Sequence, residues 1–269
     1  MVRRESGLFP ALIRHWRGRR GLSQLDLALN ADVSPRHVSF LETGRAQPSR
    51  EMILRLSAAL SVPLRDQNAL LTAAGFPAAF EEPGLAEGLP PALRLALDRM
   101  MAQQEPYPLA VMNRRYDVLE TNRAGARLLA RFIADPAAAT PPTNVFRALF
   151  DARLARPFIL EWERVARLLL ARLHREVLER PGDSELAALL RGLFEYPGVP
   201  EGWQQPDLSL PSEPCLTLRL RRDDLELAFV TTVSVFSAPQ NVTLDELRIE
   251  SYFPLDDQTR RACEKMAAT

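Results

Sequence analysis

Arg36, His37, Ser39 and Phe40 stand on the outer faces of a very short helix, and nothing in their surroundings gives them a core to join. In the stretch SPRHVSFLETG, beginning at Ser34, only Val38 and Leu41 are spaced to point inward, three residues apart. Ser34 has the chemistry of an N-cap, and Pro35 follows at the first helical position, where a missing N–H costs nothing. Gly44 offers the left-handed residue that ends such a helix. A guanidinium and an imidazole in the first exposed turn of a helix are groups that reach base edges in a DNA groove. The remaining chemistry of the chain is sparse. It has no G-x-S-x-G and no H-E-x-x-H, and its three histidines, His15, His37 and His174, stand singly. Asp223 and Asp224 resemble a carboxylate pair but lie where a hairpin turn is expected. Cys215 and Cys263 have no metal-binding spacing and read as ordinary thiols of a reducing cytoplasm. No catalytic set, metal site or required cofactor is expected, and the chain is not read as an enzyme.

The elements around the short helix explain its position. The 269 residues suffice for two domains. Zero net charge conceals an asymmetry: residues 1–76 hold 11 arginines and 6 carboxylates, and the remainder is acidic by the same margin. A basic head on an acidic body suits contact with a polyanion. Five helices are expected between Leu8 and Phe76. The first sets Leu8, Leu12, Ile13 and Trp16 on one face and ends at Gly21. Ser23, with Asp26 three residues on, caps a second that buries Leu27 and Ala28. Ser49 caps a fourth with Met52, Ile53, Leu56 and Leu60, and the fifth runs from about Arg65 to Ala74. The second and third, joined by NADVS, form a helix-turn-helix.

The run GLSQLDLALNADVSPRHVSFLETGRAQPSREMILRLSAALSVP resembles the Xre/Cro family of bacterial and phage repressors. The resemblance implies double-stranded DNA as partner. It also implies phosphate contacts from Gln24, Thr43 and Arg45, and base-facing positions at Pro35, Arg36 and Phe40 with Ser39 beside them. Ser34 and His37 complete the expected DNA-facing set, and Arg17 is implied to pair with Glu42 and turn toward a phosphate. Three positions depart from the family, one in the turn and two facing the bases. The turn residue that is often Gly is Asp32, which tolerates left-handed backbone, and Pro35 and Phe40 replace side chains that donate hydrogen bonds. Leu25 and Leu29, four apart, are expected to form a docking seam to the second domain or a second subunit.

FPAAFEEPGLAEGLPPAL reads as a linker, placing domains at 1–78 and 106–269 with 79–105 as linker and connecting helix. The helix PALRLALDRMMAQQ, with Leu93, Leu97 and Met100 or Met101 as its stripe, is expected to run between the domains without joining either core. Leu109 and Val111 alternate, Asn113–Arg115 turn the chain, and Tyr116, Val118 and Leu119 return it. Asn122 caps a helix. Helices follow at about 144–153, 158–179 and 183–194, then a hairpin at Arg222–Asp224 and a last strand in DELRIESYFPL. The order is α+β: one antiparallel sheet with helices on one face.

PLAVMNRRYDVLETNRAGARLL together with TLDELRIESYFPLDD resembles the ligand-binding domain of MmyB-like transcription regulators, a PAS-like sensor fold. This resemblance implies a small apolar ligand, a fatty acid or similar molecule, held between sheet and helices. The apolar pattern nominates Phe146, Phe150, Phe158, Trp162 and Leu169 from helices and Phe229, Val233 and Phe253 from strands as its lining. The whole reads as a cytoplasmic, homodimeric, ligand-responsive DNA-binding transcription regulator with no membrane span. A helix-turn-helix adaptor that binds a partner protein is the other reading. An apolar pocket with convergent polar groups would favour the first.

Overall fold

The structure, a computed structural model, describes residues 7–85, 89–180, 183–205, 216–236, 239 and 241–268. The chain divides into two units, residues 1–88 with 237–245, and residues 89–236 with 246–269. No described helix is long and apolar enough to cross a membrane.

The first unit contains helices α1 (Leu8–Arg19), α2 (Gln24–Asn30), α3 (Pro35–Glu42), α4 (Arg50–Ala59) and α5 (Leu64–Ala73). Their limits follow local chemistry. Ser23 caps α2 in a reciprocal box with Asp26, and Ser34 and Ser49 accept from the amides of His37 and Met52 to start α3 and α4. Asp32 in the turn before α3 and Gly44 after it take φ values of 51° and 72°. The core gathers Phe9, Ile13, Trp16, Leu27, Ala28, Val38, Leu41, Ile53, Leu56, Leu60, Leu70 and Leu71. Leu8, expected on the core face, is 47% exposed, and Phe9 takes the inward position.

Residues 237–245 count with this unit, although the sequence placed them in the second domain. The reason is a capping deficit. Pro63 starts α5 and cannot cap it with a side chain. Asp245, in the short helix α11 (Val242–Glu246), supplies a carboxylate oxygen 2.9 Å from the Leu64 amide. A negative group at a helix N-terminus is also favoured by the helix dipole. The Val242 amide donates to the Glu81 carbonyl at 3.0 Å, and Val242 and Leu244 are buried.

The second unit is built on a five-stranded antiparallel sheet of order β2-β1-β5-β4-β3, with β1 (Leu109–Met112), β2 (Val118–Thr121), β3 (Leu216–Arg222), β4 (Leu225–Ser234) and β5 (Arg248–Pro254). Helices α6 (Pro91–Gln104), α7 (Arg123–Arg131), α8 (Val145–Phe150), α9 (Trp162–Glu179), α10 (Ser184–Leu193) and α12 (Asp257–Ala268) complete it. All four residues of β1 are buried, so both its faces are covered, whereas helices on one face were expected. The connecting helix belongs here too: Leu97 of α6 is fully buried, and Gln104 donates to the Tyr252 carbonyl at 2.9 Å. The helix expected at 158–179 starts only at Trp162. Glu161, at φ 53°, interrupts the chain before α9, and Pro157 stands in a separate 3-10 turn (Arg156–Phe158). Tyr116, expected in the returning strand, sits in the β1–β2 turn at φ 66°. Cys215 lies outside the described residues; Cys263 is buried and unpaired.

Asn122 joins the start of α7 to the sheet. Its carbonyl oxygen accepts from the amides of Gly125 and Leu109 at 2.8 and 2.9 Å, and its amide donates to the Tyr107 carbonyl at 2.8 Å. Gly125 makes this approach possible, since a Cβ there would lie 2.9 Å from the Leu109 carbonyl oxygen. Gly125→Ala is therefore expected to lower stability by about 1–3 kcal/mol, the usual range for overpacking, as read by urea titration.

In the first unit, Arg17 makes a two-point pair with Glu42, Nε to Oε1 at 2.6 Å and Nη2 to Oε2 at 2.9 Å, tying α1 to α3. Burial alone would push the Glu42 carboxyl up. The hydrogen bonds from Arg17 and Gln24 outweigh burial and hold it below the usual carboxylate range. Glu42→Gln should cost about 1–3 kcal/mol at neutral pH, the range for disturbing a buried hydrogen-bonded polar group. In a double-mutant cycle with Arg17→Met, followed by thermal melts, the two changes should couple. Because the folded-state pKa of Glu42 is depressed, its contribution is present above the unfolded carboxylate pKa and is lost as pH falls through the folded value. The gap between parent and Glu42→Gln should accordingly narrow in acid.

Candidate nucleic-acid interface and ligand cavity

Most of the residues nominated from sequence for DNA contact lie on and just beyond α3. Ser34, Pro35 and Arg36 are exposed in its first turn, with His37, Ser39 and Phe40 half-buried behind them. The Arg36 guanidinium lies over the Phe40 ring, 5.2 Å from its centroid, so a cation and an apolar surface are offered together. Thr43 and Arg45 are exposed just beyond the helix. The Thr43 hydroxyl donates back to the Ser39 carbonyl at 2.8 Å, and the Arg45 amide donates to the Phe40 carbonyl at 2.8 Å.

Glu42 organises the inner side of this surface. Besides Arg17, it accepts from the Gln24 side-chain amide at 2.8 Å, and its backbone carbonyl accepts from Arg14 at 2.5 Å. Arg17 spends its third nitrogen on the Leu22 carbonyl at 2.8 Å. Gln24 and Arg17 are thus engaged with the protein in this state. Leu25 and Leu29, expected to form a docking seam, lie on the outer face of α2. They are 55% and 71% exposed, because α2 turns only Leu27 and Ala28 toward the core.

The second unit contains a partly open cavity of about 340 Å³. This lies at the low end of ligand-site volumes, about 300–1,000 Å³. Of the residues nominated from sequence, Phe146, Leu169 and Val233 line it. The other five are elsewhere. Phe150 and Phe229 are fully buried in solid core. Phe158 packs edge-on to Phe132, and Trp162 stacks on Trp203 with ring centres 5.7 Å apart. Phe253 is 40% exposed: β5 residues 248, 250 and 252 face the cavity, and Phe253 alternates to the other face.

Sequence reasoning missed the polar part of the lining: Tyr116, Arg172, Arg175, Thr231, Arg248, Glu250 and Tyr252. Only their period had a signal, since Arg172 and Arg175 continue the Leu168–Leu169 side of α9 at helical spacing, while Arg248, Glu250 and Tyr252 alternate along β5. The hub of this group is Glu176. It accepts from the Tyr116 hydroxyl at 2.6 Å, from Arg172 Nε at 3.3 Å and from Arg248 Nη2 at 3.1 Å. Burial would raise its pKa; Arg248, the Tyr116 hydroxyl and Arg172 together hold it below the carboxylate range. Burial pushes the Tyr116 phenol upward, so it stays a donor. The Arg248 guanidinium also covers the Tyr116 ring, 4.7 Å from its centroid.

Outside the cavity, His174 is buried against Phe194, and burial pushes its pKa down. Among the described residues no group of three His, Cys, Asp or Glu side chains is placed to hold a metal.

Comparison with known proteins places both halves. Residues 13–67 match a helix-turn-helix family model, and residues 93–266 match that of the MmyB-like transcription regulator ligand binding domain. Among solved structures, the clp gene regulator ClgR from C. glutamicum is 30% identical over 26% of this chain and 87% of its own, with a TM-score of 0.23. The hypothetical transcription factor NHTF from Neisseria is 26% identical over 34% of this chain and 83% of its own, also with a TM-score of 0.23. A comparison with curated proteins gave no match. With a capped reading helix in one unit and a polar-rimmed cavity in the other, the chain belongs to the family defined by the MmyB-like transcription regulator ligand binding domain, preceded by a helix-turn-helix.

Proposed function

We propose that this helix-turn-helix regulator binds double-stranded DNA sequence-specifically through α3, as a cytoplasmic homodimer, and responds to a small apolar effector held in the cavity of its second unit. The effector class is an amphiphile with an acidic head, such as a fatty acid. The observation that carries this reading is the cavity itself: Met112, Val145, Phe146, Leu149, Leu168 and Leu169 supply apolar wall beside Arg172, Arg175 and Arg248. Each guanidinium has five N–H donors, so pairing with Glu176 leaves Arg172 and Arg248 donors for a carboxylate. Apolar walls with a few convergent polar groups suit a small molecule better than a partner protein, which favours a sensor over an adaptor. The antiparallel order β2-β1-β5-β4-β3 supports a PAS-like description of the sheet. A homodimer would set two α3 helices on half-sites one helical turn apart, about 34–36 Å. The reading assigns no catalytic step and no required cofactor.

For the DNA surface, Arg36→Ala should weaken binding to a selected operator by about 1–3 kcal/mol for a lost bidentate base contact, with little change on scrambled DNA. Arg45→Ala should weaken both alike and reduce the salt dependence by about one phosphate contact. Fluorescence anisotropy at several salt concentrations separates the two; identical losses on both DNAs for Arg36→Ala would remove the base-reading role.

For the cavity, decanoic acid at about a hundred times its Kd should stabilise the full chain by about 2.7 kcal/mol. Val233→Trp, which fills the cavity from a partly exposed wall position, should fold normally and lose that stabilisation. Thermal melts with and without the acid read the difference.

A further inference from the structure

The sheet wall of the cavity has a second polar group besides the arginines. On β4, Leu227, Phe229, Thr231 and Val233 share one face, and on β5 the matching face carries Arg248, Glu250 and Tyr252. The register sets Thr231 opposite Tyr252 and Val233 opposite Glu250. The Tyr252 hydroxyl donates to Glu250 Oε2 at 3.1 Å, and the Thr231 hydroxyl gives the same carboxyl a further hydrogen bond. Glu250 itself lines the cavity.

A carboxyl in this place is expensive, because burial penalises charge unless a cation sits beside it. Glu176 has two arginines in contact; Glu250 has none among the described residues, and Arg172 acts on it only through space. Burial therefore pushes the Glu250 carboxyl up, toward the protonated form, although the Tyr252 and Thr231 hydroxyls oppose this. A protonated carboxyl has one proton to give and lone pairs to spare. Both neighbouring hydroxyls are already directed at it, so its remaining capacity faces the cavity. An occupant with only methylenes at this point would leave buried polar atoms unsatisfied, whereas a hydroxyl or carbonyl would satisfy them. Glu250 stands two residues from Arg248 on one strand face, about 7 Å along the wall.

We propose that Glu250, backed by Thr231 and Tyr252, is a specificity-determining site that selects an effector carrying a hydroxyl or carbonyl on its chain, one strand step from Arg248, which with Arg172 and Arg175 takes its acidic head. The inference rests on the reading of this cavity as the effector site. It narrows the effector class from simple fatty acids to oxygenated ones.

Isothermal titration of the full chain with decanoic acid and a positional series of hydroxydecanoic acids tests it. At least one internal hydroxy isomer should bind about tenfold more tightly than decanoic acid, a difference of about 1.4 kcal/mol. Glu250→Leu should abolish that preference while retaining decanoic acid. The near-isosteric Glu250→Gln, which still donates and accepts hydrogen bonds, should keep it, and this variant guards against a loss caused by misfolding. Equal affinity of the parent for all the acids, or a preference that survives Glu250→Leu, would overturn the proposal while leaving the effector site standing. Failure of every acid to bind would overturn the effector-site reading together with it.

Discussion

The second unit depends on one largely buried carboxylate. Glu176, on α9, draws in Tyr116 from the β1–β2 turn, Arg172 from its own helix and Arg248 from β5. Three elements distant in sequence are fixed by a single group that cannot be left unpaired in a low-dielectric interior. The consequence is spatial. Helix α9 is held beside the sheet at its arginine end, where aromatic and aliphatic side chains alone would have closed over the gap. A polar network that needs all its partners resists collapse, and the space beside it is the cavity.

The first unit uses the same device beside α3. Glu42 is 1% exposed and satisfies Arg17, Gln24 and, through its backbone carbonyl, Arg14. Helix α3 has too few apolar residues to be positioned by packing: Val38 and Leu41 are its only buried hydrophobic side chains. The ion pair at its C-terminal end and the Ser34 cap at its start supply what packing lacks. A helix that must leave its outer face polar for a partner is thereby held rigidly enough to present that face.

Asp245 extends this economy. The residues between β4 and β5 cap α5 of the first unit, and the same two strands carry Thr231, Val233, Arg248, Glu250 and Tyr252 in the cavity wall. Strands that line the cavity are thus continuous in chain with the segment that caps α5.

Local patterns alone determined the helical head. Serine caps, a proline at the first helical position, Asp32 in a left-handed turn and a three- to four-residue apolar period each act within one turn of chain, so α2, α3 and α4 were legible with their limits. The α3 surface was legible for the same reason, as were the strand alternation and the Asp223 turn. Tertiary structure decided what depends on long-range company. Phe150, Phe229 and Trp162 carry the same apolar signal as Phe146 and Leu169, and whether an apolar side chain fills a core or lines a void is set by what faces it. The polar half of the cavity was hidden because arginine and glutamate at helical or strand spacing look like a solvated face until Glu176, Arg248 and Tyr116 are brought together. The cap on α5 was hidden because its donor and acceptor lie 181 residues apart. Sequence determines what each short segment offers; folding determines which offers meet, because only a closed fold removes the water that would otherwise satisfy those groups.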